Sequence, residues 1–131
     1  MTFSGAVLLA DDEAHIRKYI GLILRQLGPV RILEAANGQE AVAAYERDRP
    51  ALVLLDVNMP VMDGLEALRQ IRAFDPEAVV VMLTSLTTRQ AVEGALELGA
   101  VGYIRKDTPK EEIAQALAET IQTHLEPEQP A

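Results

Sequence analysis

The chain has no cysteine. A disulfide framework, a thiolate zinc site and a cysteine nucleophile are thereby excluded. Long hydrophobic runs are missing too: the longest, residues 78–83, falls far short of the ~20 residues a membrane-spanning helix needs. No basic stretch precedes the brief apolar run near the N-terminus, so no secretory signal is expected. Positive charge is scarce, with 12 Lys and Arg against 20 Asp and Glu and a formal charge of −8. That balance repels nucleic-acid phosphates, and no local Lys/Arg run offsets it, so direct nucleic-acid binding by this chain is not expected. Internal repeats and low-complexity segments are also absent. What is there, 131 residues at 49% hydrophobic and 24% charged, fits one soluble domain with a real core. With no thiol and no membrane segment, a cytoplasmic location is the expectation.

Apolar runs of two periodicities alternate along the chain. Strand-like runs occur at 6–10, 32–35, 52–55, 79–83 and 103–105. Between them the spacing turns helical. Ile16, Ile20, Ile23, Leu24 and Leu27 mark one face of a first helix that Gly28-Pro29 ends. Asn37, with Glu40 three residues on, predicts the start of a second helix that Pro50 stops. A third begins near Asp63-Gly64, carries Leu65, Leu68 and Ile71 inward, and ends around Asp75-Pro76. A fourth covers about 89–98 with Val92, Ala95 and Leu96 inward, and Gly94 in its middle costs about 1 kcal/mol relative to Ala. Its outward Gln90, Glu93 and Glu97 read as a solvated face. Thr108 as N-cap, Pro109 next and Glu111 as capping-box partner predict the start of the last helix, whose inner stripe is Ile113, Leu117, Ile121 and Leu125. Five strands alternating with five helices predict an α/β domain whose parallel sheet is covered on both faces. Five strands suit the doubly wound order 2-1-3-4-5, with the ligand site outside the strand carboxyl ends at the switch point between the first and third strands. Residues 126–131 read as a short flexible tail after a domain spanning 1–125.

Chemistry-bearing side chains follow four of the runs: Asp11-Asp12, Asp56, Thr84-Ser85 and Lys106. Each has an ordinary explanation. Asp at a strand end is commonly a turn former or helix cap, a lone Thr bonds to backbone, and Lys is mostly solvated. The predicted topology nevertheless brings all four ends to one edge. Three carboxylates there repel, and unrelieved crowding raises at least one pKa. Mg²⁺ relieves it with one or two carboxylates, a backbone carbonyl and waters, and leaves positions for phosphate oxygens. In such a pocket Asp56 can be a nucleophile that forms an aspartyl phosphate, while Thr84 donates to a phosphoryl oxygen and Lys106 adds positive charge. His15 and His124 read as surface residues.

The stretches Leu8-Leu9-Ala10-Asp11-Asp12-Glu13, Asp56-Val57-Asn58-Met59-Pro60-Val61-Met62-Asp63-Gly64, Thr84-Ser85 and Gly102-Tyr103-Ile104-Arg105-Lys106 together resemble the receiver domains of two-component response regulators, in the stand-alone form typified by the chemotaxis regulator. The resemblance covers about residues 7–125 and implies a flavodoxin-like fold. By position it implies that Asp56 is the phosphoacceptor, that Asp12, Asp56 and the Asn58 backbone carbonyl hold Mg²⁺, and that Asp11 acts on the metal through water. Lys106 matches the phosphate-contacting lysine, and Thr84 and Tyr103 match the family's switch pair. The implied donor is a histidine kinase or histidine phosphotransfer protein. The implied target binds the face made by the fourth helix, fifth strand and fifth helix, and a phosphorylation-dependent homodimer is a further expectation. Apart from its own phosphorylation and dephosphorylation, no enzymatic turnover is expected.

Three positions depart from the family pattern. Asp107 follows Lys106 where the family often has a cis-proline, and a cis bond without proline costs about 3 kcal/mol. Lys106-Asp107-Thr108 resembles receivers joined to helix-turn-helix output domains. Ser85 stands where Ala or Gly is usual, and apolar Leu86 predicts altered dephosphorylation kinetics. Two other functions compete. A haloacid-dehalogenase-like Mg²⁺ phosphatase also uses an aspartate nucleophile, but resembles Asp-x-Asp with the second Asp as general acid, whereas Asn58 has no titratable proton. A pseudo-receiver that docks without phosphorylation is the other, against which the complete acidic set argues.

Overall fold

The computed structural model describes residues 5–85 and 89–125. Its elements alternate as expected: β1 (Ala6–Ala10), α1 (Ala14–Leu27), β2 (Arg31–Ala35), α2 (Gly38–Asp48), β3 (Leu52–Leu55), α3 (Gly64–Phe74), β4 (Val80–Thr84), α4 (Arg89–Glu97), β5 (Gly102–Arg105) and α5 (Lys110–His124). The strands form one parallel sheet in the order β2-β1-β3-β4-β5. Successive residues of a strand face opposite sides, and the core divides accordingly. Leu8, Ala10, Val53, Leu55, Val80 and Met82 pack against α2, α3 and Ala95 of α4. Val7, Leu9, Leu52, Leu54, Val81 and Leu83 pack against Ile20, Ile23 and Leu24 of α1 and Ile113, Leu117 and Ile121 of α5. Among the described residues no helix is long and apolar enough to cross a membrane.

Several expected local details shift. Asp11 and Asp12 do not cap α1: Glu13 occupies the N-cap position without a side-chain cap bond, and Asp11 Oδ1 instead accepts from the Glu13 N–H at 2.9 Å. Asn37 does cap α2, accepting from Glu40 N at 2.8 Å, while Glu40 Oε1 reaches back to Ala36 N at 3.0 Å, one residue before the expected partner. The start of α5 corrects the Thr108 cap. The Thr108 N–H closes a turn onto the Arg105 carbonyl at 3.1 Å, so helix entry comes one residue later, and Pro109 is the N-cap residue, whose side chain has no acceptor for a cap bond. Leu96, expected inward, is 50% exposed, and Ala95 alone of α4 is fully buried. No peptide bond among the described residues is cis, so Lys106-Asp107 is trans. The 126–131 tail and Leu86 lie outside the described residues.

Candidate functional site

Strand register builds the pocket. Ala10 pairs with Leu55, so the next residues, Asp11 and Asp56, leave the sheet side by side. Backbone bonds hold both departures: Asp56 N donates to Ala10 O at 2.9 Å, and Asp11 N to Ala35 O at 3.0 Å. On the other side of β3, Thr84 ends β4 opposite Arg105 of β5, and Lys106 N donates to Thr84 O at 3.0 Å. The first, third, fourth and fifth strands therefore deliver their terminal side chains to one edge. α1 leaves β1 toward one face of the sheet while α3 leaves β3 toward the other, and the crevice opens between them.

Three carboxylates share that crevice. One oxygen each of Asp11, Asp12 and Asp56 lie within 4.8 Å of one another, with Asp11 and Asp56 buried and Asp12 exposed. Lys106 is the counter-charge. Its Nζ lies 2.7 Å from Asp11 Oδ2 and donates to Asp56 Oδ2 at 3.0 Å, with only 11% of the side chain exposed. Burial pushes the Asp56 carboxyl up from its ordinary 3.8 to about 6; the Lys106 hydrogen bond opposes this, the Asp11 charge adds to it, and the Asn58 backbone N–H favours the ionised form. Burial works against the Lys106 charge, but the hydrogen bonds and charges of Asp11 and Asp56 outweigh it and raise its pKa. The crowding expected from sequence is thus real, though burial contributes more than like charge.

The structure brings together Asp11, Asp12, Asp56 and Lys106, with Asn58 in the loop just after Asp56. Thr84 is fully buried at the end of β4. Tyr103 lies in β5, partly buried against the core, and its buried hydroxyl has no hydrogen-bond partner among the described residues. Burial raises its pKa, against a smaller opposing effect of Arg105. Sequence reasoning missed two contributors. Glu13 Oε1 lies 3.5 Å from Lys106 Nζ, a role its place directly after Asp11-Asp12 could have suggested. Arg17 anchors the β1 exit, donating to the Asp11 carbonyl at 2.6 Å and to Glu34 at 2.8 Å, for which no local pattern gives a signal. His15 stays outside: its side chain is 75% exposed, 3.6 Å from Glu13.

The donor set suits a small hard cation. Carboxylate oxygens of Asp11, Asp12 and Asp56 converge from two strand ends, and Asp12 faces solvent, where water can complete a shell. A family model described as the response regulator receiver domain matches residues 7–118. The chain belongs to the response regulator receiver domain family. Receiver domains are signalling modules, and this one is 36% identical over 115 residues to chemotaxis protein CheY of Halobacterium salinarum, covering 88% of this chain and 95% of that one. It is 38% identical over 112 residues to protein CcdB of Bacillus subtilis, covering 86% and 93%. Among solved structures, the CheX–CheY–BeF₃–Mg²⁺ complex of Borrelia burgdorferi matches this receiver domain with a TM-score of 0.83 at 31% identity, covering 92% and 90%. The expected family and the flavodoxin-like strand order both hold.

Proposed function

We propose that this receiver domain accepts a phosphoryl group on Asp56 from a histidine kinase or histidine phosphotransfer protein, and that Thr84 and Tyr103 carry its arrival to the α4–β5–α5 face. The observation that carries the reading is the position of Lys106 Nζ, 3.0 Å from Asp56 and 2.7 Å from Asp11 at the buried end of a three-carboxylate cluster. A carboxylate oxygen of Asp56 attacks phosphorus, the bond from phosphorus to the donor imidazole nitrogen breaks, and that nitrogen keeps the electron pair. Asp12, Asp56 and the Asn58 carbonyl are the groups to hold Mg²⁺, with Asp11 acting through water. When bound, Mg²⁺ offsets the negative charge of the carboxylates and the incoming phosphate. Lys106 exchanges its bond to Asp56 for one to a phosphoryl oxygen, and buried Thr84 supplies a hydroxyl hydrogen bond.

Tyr103 supports the switch half of the reading. A buried hydroxyl without a partner costs about 1–3 kcal/mol, which a move of the ring can relieve, and Thr84 lies on the same face of the sheet, two residues past Met82, the strand partner of Tyr103. CheY of Borrelia burgdorferi was solved with CheX, BeF₃ and Mg²⁺, and fluoroberyllate on a carboxylate oxygen has the tetrahedral shape of a phosphoryl group. An NMR titration with Mg²⁺ and fluoroberyllate tests both halves. Amides of Asp56, Thr84, Lys106 and the α4–β5–α5 face are expected to shift together, with the shifts abolished by Asp56→Asn or by chelation. Shifts confined to the pocket would overturn the switch, and none at all would overturn the acceptor. The phosphatase reading has no general acid at Asn58, and the docking-only reading leaves a complete acidic set unused.

A further inference from the structure

The loop that carries Asp56 and Asn58 out of β3 is fastened at two glycines. At its base the Gly64 N–H donates to the Val57 carbonyl at 2.8 Å. A Cβ on Gly64 would overlap the Asp56 carbonyl oxygen and come within 2.8 Å of its carbon. On the far side the Gly38 N–H, one of the donors left over at the start of α2, donates to the Met62 carbonyl at 2.9 Å. A Cβ on Gly38 would overlap the Met62 oxygen, 2.9 Å from its carbon and 3.0 Å from the Asp63 oxygen. All of these neighbours are backbone, so no rotamer change relieves the overlap. Gly38 is needed for space, not for an unusual φ.

Between the two fastenings the chain follows a strained path. Val61 has φ +70°, and the Met62 N–H donates across it to the Pro60 carbonyl at 2.7 Å. That combination is the γ-turn of positive φ, the rarer and strained form, at a β-branched residue for which positive φ is an outlier. Burial of the side chain does not account for it, since Val61 is 75% exposed. Such strain persists only where the surroundings over-determine the backbone, and the surroundings here are the Gly38 and Gly64 contacts. Asn58, whose N–H bonds to the Asp56 carboxylate, sits inside this closed loop.

We propose that Gly38 is a positioning residue for the acidic pocket: by admitting the Met62 carbonyl against the first turn of α2, it clamps loop 56–64 in the path that Asp56 and the Asn58 carbonyl need in order to hold a divalent cation. The inference rests on the reading of the pocket as a Mg²⁺ site. Gly38 touches no metal-binding atom and acts through Met62 and the Val61 turn. Linkage makes the effect reciprocal, so the bound cation also tightens the clamp.

Calorimetric titration with Mg²⁺ alone, on the wild type, Gly38→Ala, Gly38→Ala with Val61→Gly, and Gly94→Ala, tests the proposal, with urea unfolding alongside. Gly38→Ala is expected to weaken Mg²⁺ about tenfold, the loss typical of an outer group that orients a ligand. Adding Val61→Gly is expected to recover much of it, because a glycine at 61 lets the backbone absorb the displacement of Met62 locally and leaves residues 56–58 on their original path. Gly94→Ala, where an added Cβ meets nothing within 4 Å, is expected to bind as the wild type does. In the wild type, Mg²⁺ is expected to slow hydrogen exchange of the Gly38 amide, a change that a purely structural glycine does not show. Equal Mg²⁺ affinity in folded Gly38→Ala, or no recovery in the double variant, overturns the proposal. If Gly38→Ala does not fold, an amide exchange rate at Gly38 indifferent to Mg²⁺ overturns it instead. A wild type that binds no Mg²⁺ overturns the reading of the pocket itself, an outcome distinct from wild type and Gly38→Ala binding alike.

Discussion

The Asp56 carboxyl titrates near 6 in the folded domain, mainly because burial disfavours its charge, against an ordinary 3.8. Between those values the folded state holds more protons than the unfolded one. Without Mg²⁺, stability therefore falls as pH rises through that window, and this contribution is flat above it. Asp56→Asn is expected to remove the slope and to gain about 1 kcal/mol near neutral pH. That is below the roughly 3 kcal/mol of full linkage over about two pKa units, because removing Asp56 also costs Lys106 one partner. Urea unfolding in chelator across about pH 4 to 8 measures this, and parallel profiles for wild type and variant would contradict it. At this scale the pocket was legible because Asp11, Asp56, Thr84 and Lys106 each directly follow or end an apolar run, and strand ends translate into position. Arg17, bonded to Asp11 and Glu34, was not legible, because its partners come from another strand and a loop.

Elements were most legible where the signal is local. The Asn37 cap of α2 is a bond to Glu40 three residues on, and the sequence shows both partners. The Thr108 cap failed because the turn leaving β5 competes for the same backbone, with Thr108 N bonded to Arg105 O. Leu96 failed because in a short helix Ala95 and Leu96 both fit an inward stripe, and only tertiary packing chooses between neighbours about 100° apart. Gly94 is a cleaner case. Its Cβ position is open and it lies inside α4, so Gly94→Ala is expected to stabilise the domain by about 0.5–1 kcal/mol through backbone entropy. A raised urea midpoint at unchanged slope would show it. No gain would mean that α4 is not fully helical in solution around residue 94.

For the whole molecule, alternating periods predict the parallel sheet, and the order β2-β1-β3-β4-β5 then places the acidic pocket at the crevice between β1 and β3. What sequence could not supply is the fastening of the loop after Asp56. Gly38 and Met62 are far apart in the chain, and their contact follows only once α2 and α3 pack on the same face. The pocket is therefore a property of the assembled sheet and its helices together. Intact mass after incubation with a small-molecule phosphodonor and Mg²⁺ tests its central function. One added phosphoryl group is expected on the wild type, and none on Asp56→Asn or when Mg²⁺ is chelated. A folded wild type that stays unmodified by an active donor, or an Asp56→Asn variant that gains the same mass, would contradict the assignment of Asp56 as phosphoacceptor.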